Sequence, residues 1–126
     1  MVAAVAMDTS ALMMPVESDV RVFEELSRLL GDYECAVPRA VRDELEKLSS
    51  GASAEAVAAS VGADLADDRC RLVDHEASYA DDALVELAPE FDYVVTNDGP
   101  LKARLLEVGA SVIHIRGRNK LAISQP

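Results

Sequence analysis

Tyr93-Val94-Val95-Thr96-Asn97-Asp98-Gly99-Pro100 decides how this chain is read. A short, β-branched apolar run stops at Thr-Asn-Asp, and Pro100 suits the first turn of a following helix. Near the other end, Val2-Ala3-Ala4-Val5-Ala6-Met7 stops at Asp8-Thr9-Ser10 in the same manner. Two strands that each end in a carboxylate beside a hydroxyl can hold a divalent metal between them.

Outward from these two runs, strand and helix patterns alternate. Strands are expected at residues 2–7, 34–37, 70–73, 92–96 and 111–115, with a last short strand at 121–123. Helices are expected at 19–30, from Pro38 to 48, at 53–66, at 80–88 and at 99–108. Ser18 is the expected cap of the first helix; Gly31, Gly51 and Gly109 are the expected stops. Continuous apolar strands alternating with helices predict a parallel sheet covered on both faces, with ligands beyond the C-terminal strand ends. The 126 residues suit one domain, residues 1–126, with a tail from about 117.

Composition sets further bounds. No apolar run approaches the roughly 20 residues needed to cross a bilayer, so no membrane partner is expected. No basic region precedes the N-terminal apolar run, so no secretory signal is expected. Cys35 and Cys70 lack metal-site spacing, and the expectation is two small buried hydrophobes in a reducing cytoplasm. The net charge is −11, from 23 acids against 12 bases, of which only Lys47, Lys102 and Lys120 are lysines. A basic patch usually marks a nucleic-acid partner. Acid-rich, lysine-poor composition also fits a halophilic protein; in molar salt the Debye length is about 3 Å, and a negative surface then hardly repels a polyanion. Charge alone therefore neither supports nor excludes RNA.

Each candidate acid has a structural reading when taken singly. Asp8 and Asp98 can cap the turns they open, Glu44 sits among charged neighbours, and Asp81 and Asp82 suit the positive end of a helix. Together they follow a rule: each lies at a strand's C-terminal end or on the helix just after one. Clustered carboxylates repel unless one is protonated or a cation is bound. An oxygen-only set without Cys or His suits Mg²⁺ or Mn²⁺, which can activate water for phosphodiester hydrolysis.

Four pieces carry a family resemblance: Met7-Asp8-Thr9-Ser10; Val37-Pro38 through Val41 and Glu44-Leu45; Ala80-Asp81-Asp82-Ala83-Leu84; and Val95-Thr96-Asn97-Asp98 with Leu101. In this order and spacing the chain resembles the PIN-domain ribonucleases. The resemblance implies a three-layer α/β/α fold with a central parallel sheet ordered 3-2-1-4-5. It implies a metal-dependent endoribonuclease in which Asp8, Glu44, Asp81 and Asp98 bind Mg²⁺ or Mn²⁺, with Asp82 assisting and Ser10, Thr96 and Asn97 orienting acids or touching phosphate. The strings at 80–84 and 96–98 look most similar to the ribosome-assembly branch, which processes rRNA; a VapC-like toxin branch is the alternative, and a cytoplasmic location is expected for either. The resemblance leaves a homodimer, a ribosome-assembly factor or an antitoxin open as partner. RNA contacts are expected from Arg39, Arg42, Lys102, Arg104, Arg116, Arg118 and Lys120. His75 and His114 are not needed by this chemistry.

Two rivals belong to other classes. A phospho-receiver domain needs paired acids after its first strand and a Lys after its fifth, where this chain has a single Asp8 and Arg116. A catalytically inactive PIN-like scaffold would not need every acid in place.

Overall fold

In the computed structural model, which describes residues 2–126, the N-terminal apolar run forms β1 (Ala3–Met7), with Val5, Ala6 and Met7 fully enclosed. There follow α1 (Thr9–Glu17), α2 (Val22–Leu30), β2 (Tyr33–Pro38), α3 (Arg39–Leu48) and α4 (Ala54–Arg69). The second half contributes β3 (Arg71–Val73), α5 (Ala80–Leu87), β4 (Tyr93–Val95), α6 (Gly99–Glu107), β5 (Val112–Arg116) and β6 (Lys120–Ser124).

The sheet order is β3-β2-β1-β4-β5-β6, the expected 3-2-1-4-5 extended by β6. The first five strands pair in parallel, and only β6 turns back against β5. Helices flank this sheet. The order reverses between β1 and β4, where Met7 pairs with Val95, so Asp8 and Thr96 follow side by side. Open α/β sheets bind ligands at such a reversal.

The structure departs from expectation at three places. Residues 9–17 form a helix, α1, which the sequence pattern does not reveal. Ala11, Leu12, Met13 and Met14 are all buried, so no polar face marks a helical period, and Pro15 reads as a break. Ser18 consequently ends α1, and α2 begins at Val22 without a side-chain cap. Finally, the two cysteines are not free: Cys35 and Cys70 form a disulfide with their Cα atoms 4.6 Å apart. The parallel register, Ala36 against Arg71, brings the residue before each of these side by side. That proximity depends on strand order, which spacing alone does not give.

The helix α4 packs closely on α1. A Cβ on Gly62 would lie 2.9 Å from the Leu12 carbonyl oxygen and 3.2 Å from Leu45 Cδ2. This glycine is required by the helix crossing, and the crossing fixes α1, whose N-terminus carries Asp8 and Ser10.

Candidate active site

The two strand ends at the reversal are joined by hydroxyls. Asp8 is 4% exposed and Thr96 is fully buried, so their polar atoms must satisfy one another. The Thr96 hydroxyl donates to Asp8 Oδ2. Ser10 Oγ donates to both carboxylate oxygens, at 2.8 and 2.9 Å, and accepts the N–H of Asn97 at 2.8 Å. Thr96 Oγ1 accepts the N–H of Asp98 at 3.0 Å. Ser10, Thr96 and Asn97 thus tie the end of β1 to the turn that bears Asp98.

Both flanking acids also cap helices. Asp8 Oδ1 accepts the N–H of Ala11 at 2.6 Å, and Asp98 Oδ1 accepts that of Leu101 at 3.0 Å. Capping and clustering are here two uses of one carboxylate, because a cap residue at a strand's end points its side chain over the sheet edge.

Asp8, Glu44, Asp81 and Asp98 line one cleft of about 190 Å³, together with Thr9, Ser10, Met13, Leu48 and two further acids, Glu17 and Glu55. The four candidates come from the end of β1, from α3, from the first turn of α5 and from the end of β4. Asp82 does not line this cleft and pairs with Arg104 at 2.9 Å, whereas Asp81 lines it. Nothing in the sequence pattern marks Glu17 or Glu55 as part of this cleft. Glu17 belongs to the unrevealed helix, and Glu55 reads as an ordinary first-turn acid of α4.

The electrostatics are those of crowded carboxylates. Burial pushes the Asp8 carboxyl up to about 7, against the lowering effect of the bonds from Thr96, Ala11 and Ser10. Asp81 is exposed and lines the cleft. Partial desolvation, then the charges of Asp98 and Glu44, hold it above the ordinary carboxylate range. Among the described residues no three Asp, Glu, His or Cys side chains form a ready-made metal-binding group. The donor chemistry nevertheless fits a hard cation: every candidate is an oxygen ligand, and the mutual repulsion at Asp81 is what a cation relieves.

The expected RNA-contacting cations fall into two sets. Arg39, Arg42 and Arg104 are each held by a carboxylate: Asp74 at 2.7 Å, Asp67 at 2.7 Å and Asp82 at 2.9 Å. Lys120 lies 3.8 Å from Glu25. Lys102, Arg116 and Arg118 make no ion pair among the described residues. His75 accepts the N–H of Ala40, and His114 bonds Ser124; neither lines the cleft. No helix among the described residues is long and apolar enough to cross a membrane.

Comparison with known proteins bears on this arrangement. The family described as "PIN like domain" matches residues 5–118. Among solved structures, the PIN domain endonuclease Utp24 superposes with a TM-score of 0.77 at 23% identity, over 98% of this chain and 92% of that one. No curated protein matches the sequence significantly.

Proposed function

Because the chain belongs to the PIN-like domain family, we propose that it is a metal-dependent endoribonuclease. The observation that carries this reading is the convergence of Asp8, Glu44, Asp81 and Asp98, from four elements, on one cleft at the sheet's reversal point. These four residues would hold Mg²⁺ or Mn²⁺. Bound there, the metal would activate water and stabilise the leaving oxygen of an RNA phosphodiester. Ser10 and Thr96 act on the carboxylate itself, fixing Asp8 in one rotamer so that its charge stays aimed at the cleft. The Asn97 N–H on Ser10 and the Asp98 N–H on Thr96 hold the second strand end in register with the first.

The strings Ala80-Asp81-Asp82-Ala83-Leu84 and Thr96-Asn97-Asp98 favour rRNA processing as the role. The acidic surface favours activity in concentrated salt, where screening shortens the reach of its repulsion. The test is cleavage of labelled total RNA by the wild type and Asp98→Asn, with Mn²⁺ or EDTA, at low and molar KCl. Manganese-dependent cutting that the variant lacks supports the reading. Equal cutting by the variant removes Asp98 from the mechanism, and RNA binding unchanged by the substitution without any cutting points to a scaffold.

A further inference from the structure

The β5–β6 hairpin overhangs the same sheet edge that bears the acidic cleft. Val95, the last residue of β4, pairs with Ile113, and β5 then continues through His114 and Ile115 to Arg116. At about 3.3 Å per residue the strand runs roughly 10 Å past the level of its neighbour. It reverses through Gly117, whose φ of +69° suits a glycine, and Arg116 pairs with Lys120 across the turn. Arg116, Arg118 and Lys120 therefore stand, exposed, at the tip of a projection beside the strand end that carries Asp98.

The charge distribution sharpens this. All 23 acids lie within residues 1–107; from Val108 to Pro126 there is none. Arg39, Arg42 and Arg104, by contrast, have their charge offset by nearby carboxylates. Of the three arginines without an ion pair among the described residues, Arg71 lies on β3 at the far edge of the sheet, and the other two, Arg116 and Arg118, stand together where a polyanion leaving the cleft toward β5 would pass. We propose that this hairpin is the arm that grips the phosphates of the RNA substrate on the β5 side of the scissile bond, with Arg116 and Arg118 as its contacts. The proposal rests on the endoribonuclease reading and adds to it the polarity of the binding track: substrate crosses the sheet edge from the cleft toward β5.

The test uses the full chain and a fluorescein-labelled single-stranded RNA of mixed sequence, in EDTA, with anisotropy recorded from low to high KCl. Two phosphate contacts on a single strand change the slope of log K against log salt by about 1.4. The double variant Arg116→Ala/Arg118→Ala is expected to show that loss of slope and to bind more than about tenfold more weakly at low salt. Arg69→Ala/Arg71→Ala changes net charge equally, beside and on β3 at the opposite edge of the sheet, and is expected to leave the slope intact. Arg116→Lys/Arg118→Lys, which keeps the charge, is expected to restore most of the affinity. With Mn²⁺, the Ala double variant should raise KM and leave kcat nearly unchanged. Wild-type binding with the same slope in both Ala double variants overturns the arm and leaves the nuclease reading standing. Absence of RNA binding by the wild type at every salt concentration overturns both.

Discussion

Raising the pH is expected to destabilise this protein in a way that divalent metal reverses. Asp8 holds its proton in the folded state up to about 7, because burial opposes its ionisation, whereas in the unfolded chain it ionises near 3.8. Between those values the native state binds the extra proton, so stability falls as pH rises and the loss is complete above about 7. At about 1.4 kcal/mol per pH unit, that interval sets a ceiling of about 4 kcal/mol. Water entering the cleft screens the charge, and a loss on the order of 2 kcal/mol between pH 5 and 8 is the working figure. For a domain of this size it corresponds to a fall in Tm of roughly 8 °C. Asp81, also raised, adds in the same direction. The assay is thermal unfolding at pH 5 and pH 8, in EDTA and in Mn²⁺. The metal, which needs the ionised carboxylates, should raise Tm more at pH 8 than at pH 5; a ligand at 100 times its Kd contributes about 2.7 kcal/mol. Asp8→Asn should flatten most of the pH slope, whatever its effect on absolute Tm. A wild-type Tm that is constant or rising from pH 5 to 8 in EDTA would refute the electrostatic account of the cleft.

Three further outcomes follow from the packing. Gly62→Ala should destabilise by about 2 kcal/mol despite the better helix propensity of alanine, because the new methyl meets the Leu12 carbonyl; a neutral or raised Tm would contradict the close helix crossing. Glu25 accepts the Leu121 N–H at 2.9 Å and two bonds from Arg28, which hold its carboxyl down at about 2. Its depressed value makes this contribution present above about 4.5 and lost as pH falls through about 2. Glu25→Gln should therefore cost about 2 kcal/mol at neutral pH and loosen β6, seen as faster amide exchange at Leu121, and should match the wild type in strong acid. Reducing the Cys35–Cys70 bond opens a loop spanning 35 residues, and reductant should lower stability by up to about 4 kcal/mol in calorimetry; an unchanged Tm would mean the bond constrains little.

Much of this arrangement was legible in residues alone, for identifiable reasons. β4 and the turn after it announce themselves because a β-branched run and a Thr-Asn-Asp cap are both local signals. Glu44 needed more: only its place beside Leu45 on α3 hinted that it borders the buried face. The order of the strands came from the family resemblance, since no local signal encodes which parallel strand lies beside which. The same limit hid the disulfide, whose two cysteines become neighbours only through the β2–β3 register. α1 was hidden because a helix buried on most sides loses its amphipathic period. With α1 went Glu17, while Glu55 depends on how α4 turns back toward the cleft after Gly51.

The most direct test of the central claim is Mn²⁺ binding, followed by the loss of the free-ion electron paramagnetic resonance signal, because it needs no knowledge of the RNA substrate. Wild type, Asp81→Asn and Asp82→Asn should be titrated side by side at pH 8. The account predicts that the wild type takes up Mn²⁺, that Asp81→Asn weakens uptake by tenfold or more, and that Asp82→Asn, whose carboxylate faces Arg104, changes it little. A wild type that leaves the Mn²⁺ signal untouched, or an Asp81→Asn protein that binds as well as wild type, would contradict the assignment of this cleft as the metal centre.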